Sequence, residues 1–343
     1  MKKKLFRYIF IFLACIGVLI IFLIFKVKFS ADVIPIKGKA VILIPTGSSY
    51  SQVRDSVKSH LNVNNWRLMD WLAKKKRYTE LIKPGRYVIV RSLSYLDLID
   101  LLRAGNQVPV KLTFNNITTL NDLAGKIGSQ IEADSAVLIE FLSSPENYRK
   151  DGFIRETIIS LFIPNTYEIY WNTSAPGLYN RMLKEYNKFW NSERLSKAHE
   201  KNLTQTEVSI LASIVDAEVI KPDEKPRIAG VYINRIRKGI PLQADPTIKF
   251  ALNDFTITRI LFKHLEVNSP YNTYKHSGFP PGPIGCPTIE GIDAVLNAER
   301  NDYLFFVAKP DFSGYHNFSR TLTEHKSYAL MYKKELDKRK IFK

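Results

Sequence analysis

Cysteine is nearly absent: the 343 residues hold two, Cys15 and Cys286. Cys15 lies inside an apolar run and Cys286 far beyond it. The two are not expected to meet, and no disulfide framework holds the fold, which must rest on its core. No Cys/His cluster has the spacing of a zinc site, so no metal and no cofactor is expected. No internal repeat or low-complexity stretch appears either, which excludes a repeat architecture. Acidic residues are in deficit: 50 Lys and Arg against 33 Asp and Glu leave a net charge of +17. The excess is spread along the whole chain rather than gathered into one basic stretch, and nucleic-acid binding is not expected. A basic surface of this kind suits anionic lipid headgroups or the acidic peptide stems of a cell wall instead.

Charge is missing altogether between Tyr8 and Phe25. At 1.5 Å per residue this run is about 27 Å long, close to the hydrocarbon thickness of a bilayer. It is longer than a usual signal core, and Val27-Lys-Phe-Ser-Ala31 lacks a small-x-small cleavage site, so a retained anchor is favoured over a cleaved signal peptide. Lys2, Lys3, Lys4 and Arg7 outweigh Lys26 and Lys28, which puts residues 1–7 in the cytoplasm, a membrane helix at 8–26 and the rest outside.

The remaining chain is long enough for more than one domain, with 45% apolar residues to build cores. Residues 39–108 read as a small α+β module. Ala40–Pro45 is a strand, Ser51–Leu61 and Asn65–Lys75 are helices, and Ile82–Val90 is a turn into a strand. Ser94 caps a last helix that stops at Gly105. Residues 109–343 read as a larger α+β domain. Val108–Phe114 is a strand, Asn116–Ile131 and Ser135–Tyr148 are helices, and Pro176 to about Lys201 is one long amphipathic helix. Leu242–Thr247 and Tyr271–Tyr274 read as loops, Ile289–Asn297 as a short helix, and Tyr303–Val307 with Gly314–Phe318 as a hairpin. A basic helix follows from Ser327.

The most informative stretch is Thr204–Gly239, a helix, a turn and a second helix. Thr204-Gln-Thr-Glu207 is a capping box. Val208, Leu211, Ala212, Val215 and Val219 form an apolar stripe, with Glu218 on its flank. Asp216 points about 200° away from Glu218, so the two cannot share a site. Lys221-Pro-Asp223 breaks the helix, Asp223 can cap the next one, and Gly239 closes it. A carboxylic acid beside apolar side chains is pushed towards neutrality, as a general acid requires. On spacing alone, an exposed acid near a helix C-terminus is the favoured reading.

The words around Glu218 carry more. Leu211-Ala-Ser-Ile-Val-Asp-Ala-Glu218, Ile228-Ala-Gly-Val-Tyr-Ile-Asn-Arg235 and Pro241-Leu-Gln-Ala-Asp-Pro-Thr247 follow one another. Then come Tyr271-Asn-Thr-Tyr274, Gly278-Phe-Pro-Pro-Gly-Pro-Ile284, Tyr303-Leu-Phe-Phe-Val307 and His316-Asn-Phe-Ser319. In this order they resemble the MltG (YceG-like) endolytic murein transglycosylase family, over nearly the whole chain. Asn165 in Phe162-Ile-Pro-Asn-Thr-Tyr167 stands where the family usually has an acid.

The resemblance implies a single-pass cell (inner) membrane lyase with its catalytic domain periplasmic or otherwise extracytoplasmic, and a LysM-like subdomain at 39–108 in front of the catalytic domain. It implies cleavage of the MurNAc-GlcNAc bond of nascent peptidoglycan to 1,6-anhydroMurNAc ends, which terminates strand growth beside penicillin-binding synthases. Glu218 is then catalytic. Asn234 in the second word, and Gln243, Asp245 and Thr247 in the third, are candidates for binding substrate. So are Tyr271, Asn272, Thr273 and Tyr274, and Gln243 or Asn272 could steady the developing oxocarbenium. The competing readings are a non-catalytic glycan-binding scaffold that recruits synthases and a two-carboxylate muramidase with Asp245 as second acid.

Overall fold

The computed structural model of the protein describes residues 2–339. Its elements are mixed helix and short strand, and the chain divides into two compact units, residues 1–112 with 130–133 and 167–174, and the remainder.

The first unit opens on α1 (Lys2–Phe29), an exposed apolar helix long enough to cross a membrane. There follow β1 (Val33–Pro35), β2 (Ala40–Ile44), α2 (Tyr50–His60), β3 (Leu61–Val63), α3 (Trp66–Lys75), β4 (Gly85–Ile89) and α4 (Tyr95–Ala104). β2 and β4 pair antiparallel from Ala40–Ile89 to Ile44–Gly85, and the alternating inward residues Ile42, Ile44, Tyr87 and Ile89 are buried. The helices close over them through Val53, Val57, Met69, Leu98, Ile99 and Leu102. Ser49, Asn65 and Ser94 cap α2, α3 and α4, and Gly105 ends α4 in the left-handed region at φ 75°. The three-residue strands β1 and β3 pair with each other and are too short to show a period of two in the sequence.

β5 (Val110–Phe114) and β6 (Asn165–Ile169) pair with each other. The second unit contains α5 (Leu120–Gly128), α6 (Ser135–Leu142), α7 (Ala175–Phe189), α8 (Ser192–Glu200), α9 (Gln205–Glu218) and α10 (Lys225–Arg237). α11 (Asp245–Leu252), α12 (Ile289–Leu296), β7 (Phe305–Ala308), β8 (His316–Ser319) and α13 (Leu322–Lys338) complete it. β7 and β8 form the antiparallel hairpin expected from their sequence.

Several elements differ from the sequence reading. The long helix from Pro176 is two, because the buried Trp190 ends the first and the Asn191 side chain accepts from the Arg194 amide to begin the second. α5 begins only at Leu120, where Thr119 and Asp122 form a capping box. α6 stops at Leu142 and gives way to short 3-10 turns. Asp223 does not cap α10: it lies in a 3-10 turn and accepts from the Tyr315 hydroxyl at 3.4 Å.

α9 is the hub. The Thr204–Glu207 capping box forms as expected, but the helix is buried on every side from Val208 to Val215 rather than along one stripe. It packs against α8, α10, α11 and α12. Its two buried serines return their hydroxyls to the helix itself, Ser209 to Gln205 O at 2.9 Å and Ser213 to Ile210 O at 2.8 Å, so neither is left unsatisfied.

Candidate active site

Glu218 is the last residue of α9, where the helix's exposed carbonyls disfavour a further negative charge. It is half-buried, and among the described residues no donor is hydrogen-bonded to its carboxyl. Burial pushes its pKa up to about 8; the Asp245 charge pushes the same way and Lys249 opposes both. At neutral pH the carboxyl is therefore mostly protonated and has no protein partner to hold its proton.

Asp216, two residues earlier, has the opposite environment. It accepts from Thr288 N at 2.7 Å and Thr288 Oγ1 at 3.0 Å, and pairs with the buried Lys225 at 2.9 Å. A Cβ on Gly291 would stand 2.4 Å from its carboxylate, so only glycine permits this approach. Asp216 thus ties α9 to the start of α10 and α12. The divergence of the two acids expected from helical geometry is what separates the roles.

Asp245 sits at the first position of α11, with Pro246 next, and the Tyr274 hydroxyl donates to it at 2.5 Å. The 242–247 segment read as a loop is therefore half helix, and its Asp-Pro pair marks a helix start rather than a turn. Gln243 holds φ at 51°, uncommon for a side chain of its kind. That conformation is fixed from two sides: its amide N–H donates to Thr273 O at 2.9 Å, and Arg235 donates to its side-chain oxygen at 2.6 Å.

The expected binding residues divide. Asp245 and Tyr274 lie near Glu218, and Gln243 is held by Arg235. Thr247, Asn272 and Thr273 are buried and hold the loops together. Thr247 and Thr273 share a hydroxyl contact at 2.8 Å, and the Asn272 amide donates to Leu265 O and Val267 O, both at 2.8 Å. Tyr271 is half-buried, its ring 4.7 Å from that of Phe250, in a groove shared with Arg155 and Glu156; burial pushes its pKa up to about 12. The Asn234 amide is bound to Asn301 O at 2.8 Å and Tyr303 O at 3.1 Å, which fastens α10 to the segment before β7.

Two further residues belong to this site and were not singled out from the sequence. Tyr232 is buried on α10 and its hydroxyl has no hydrogen-bond partner among the described residues. Burial, then the charge of nearby Glu218, push its pKa well above the phenol range. Arg235 is also buried; besides Gln243 it donates to Leu242 O at 3.0 Å, and it lies over the Phe305 ring at 5.2 Å. Tyr232 and Arg235 are three residues apart and share one face of α10, a spacing the word Ile228–Arg235 already contains.

A wall of this unit comes from the Gly278–Ile284 segment. Ile284 N donates to Ser213 Oγ at 3.0 Å, which pins it to α9. Gly282 lies so close to the Glu156 carbonyl that a Cβ would stand 2.0 Å from it.

The YceG-like family profile matches residues 42–330, and the chain belongs to that family. It is 29% identical over 310 residues to an endolytic murein transglycosylase of Streptococcus pneumoniae serotype 2, covering 79% of this chain. It is 27% identical over 300 residues to an endolytic murein transglycosylase of Bacillus subtilis, covering 83% of this chain and 82% of that one. The match spans about half the length of the pneumococcal relative, 54%. In three dimensions it resembles the crystal structure of a yceG-like protein of Listeria monocytogenes, with a TM-score of 0.56 and 27% identity over 85% of this chain and 99% of that one.

Proposed function

We propose that this chain is a membrane-anchored endolytic lytic transglycosylase acting on peptidoglycan glycan strands. The observation that carries the reading is the half-buried, unpartnered Glu218, whose carboxyl is protonated near neutral pH. The relatives' shared description as endolytic murein transglycosylases supports it.

Glu218 gives its proton to the glycosidic oxygen as the bond to C1 of N-acetylmuramic acid breaks. The same sugar's 6-hydroxyl closes on C1, and its proton passes to the Glu218 carboxylate. One C–O bond breaks and one forms, no water is consumed, and the acid is regenerated. Asp245, held by Tyr274, supplies negative charge beside the developing oxocarbenium, and Gln243, held by Arg235, offers an amide to the sugar. α1 keeps the catalytic unit next to nascent strands, with residues 1–7 in the cytoplasm, 8–26 in the membrane and the remainder extracytoplasmic. Residues 39–108 act as the LysM-like module and 109–343 as the catalytic domain. Penicillin-binding synthases are the partners whose strands this activity ends.

Purified peptidoglycan digested by the protein should yield anhydro-ended fragments by mass spectrometry, and Glu218→Gln should yield none; equal profiles would dismiss the reading. The charge of Asp245 on Glu218 favours one alternative, a muramidase in which Asp245 activates water. That enzyme would leave reducing ends and incorporate oxygen from labelled water.

A further inference from the structure

The first unit carries a groove that the catalytic reading does not use. It measures about 570 Å³ and its walls come from three helices, with Leu96 contributed by α4. On α1 they are Ile20, Leu23, Ile24 and Val27, which recur at three and four residues and so form one face. On α3 they are Leu68, Trp71 and Leu72, again a single face. The lining exposes apolar surface alone, and Trp71 is 53% exposed, although Trp is a residue that usually buries its ring.

The free charge that α1 and α3 bring to this groove is basic: Lys28 of α1 lines it, whereas Asp97, beside Leu96, is an exposed acid of α4. Arg67, Lys74 and Lys75 of α3 are exposed. The one acid of that helix, Asp70, is already occupied by Arg54 at 3.3 Å and the Tyr50 hydroxyl at 2.9 Å. A Trp and basic residues around an apolar stripe are the signature of a helix lying in the membrane interface. The groove is continuous with the apolar surface of α1. From Ile20 to Val27 that helix rises about 10 Å, more than the roughly 5–7 Å of headgroup on one side of a bilayer. When α1 spans, the lower wall of the groove reaches acyl chains, and Lys28, near the end of α1, stands at the headgroup side.

We propose that α3 and the adjoining face of α1 form a binding site for anionic phospholipid of the outer leaflet, with an acyl chain in the groove and Trp71 at the interface. The inference rests on α1 being a membrane span. It makes the small unit a membrane-seated platform, whether or not it also binds glycan.

The test uses the full chain reconstituted in vesicles of phosphatidylglycerol and phosphatidylcholine whose acyl chains carry bromine, a quencher of indole emission. The expected result is that the protein floats with the vesicles and loses the emission of one of its four tryptophans. Trp71→Phe should float equally but show no such loss. Raising the phosphatidylglycerol fraction should deepen the quenching, and Arg67→Glu with Lys74→Glu and Lys75→Glu should remove that dependence. Failure to float would overturn the span and the proposal together. Flotation with Trp71 unquenched overturns the lipid site alone, and if Trp71 is then shielded from acrylamide, a polypeptide covers the groove instead.

Discussion

At the scale of single residues, the proposed reaction depends on a proton that Glu218 keeps at neutral pH. Its carboxyl pKa of about 8 means that the acid form is lost as pH rises through that value, so turnover should fall above pH 8. Glu218→Gln should lower the rate of anhydro-product formation by at least about 10²-fold. Stability falls in the same direction, over a lower range of pH. The folded state raises this pKa above the ordinary 4.5. The folded chain therefore binds the proton more tightly than the unfolded one, and its stability declines between pH 4.5 and 8. Gln cannot ionise, so Glu218→Gln should melt higher than the wild type at pH 9, by a margin that vanishes near pH 4. Tyr232→Phe removes a buried hydroxyl with no partner, which costs little or nothing in stability. If that hydroxyl receives the Glu218 carboxylate after proton transfer, kcat falls while Tm holds; an unchanged kcat would reduce Tyr232 to packing.

At the scale of elements, α9 is held by what surrounds it more than by its own pattern. Asp216→Ala would strip Thr288 of its partner and leave Lys225 buried beside one remaining acid, Glu290 at 3.3 Å. Losing one member of such a pair costs about 3 kcal/mol, which a denaturant titration would read as a lower midpoint with an unchanged slope.

The caps of α4 and α9 were plain in the sequence, Ser94 with Asp97 and Thr204 with Glu207 each three apart and Gly105 as a stop, but those at Thr119 and Asn191 were not. Boundaries set by tertiary burial were not. Nothing in an amphipathic run says that Trp190 will turn inward and divide it, and Asp245-Pro246 reads as a turn until α9 is there to receive the helix it starts. Of the candidates read from the sequence, Asp245 and Tyr274 prove to be neighbours of Glu218. Tyr232 and Arg235 were hidden because a buried phenol or guanidinium looks, in sequence, like any other polar residue on a helix.

At the scale of the whole molecule, the first unit is built from three separated stretches of chain. One of the short pieces is fastened by Glu132, whose carboxylate accepts from Thr46 N at 2.5 Å and Thr46 Oγ1 at 2.8 Å. Glu132→Ala should cost about 1–2 kcal/mol, and a fragment ending at residue 112, which lacks that partner, should melt below the same residues in the intact chain. Both can be followed by circular dichroism.

The interleaving also sets a timetable. As the polypeptide leaves the ribosome, its leading third has to wait, incomplete, until residue 174 has emerged, by which point the opening of the second unit is already out. The first unit gains its last contacts late, and the leading third of a nascent chain stalled before that residue should be cut by protease more readily than the same stretch of the finished protein.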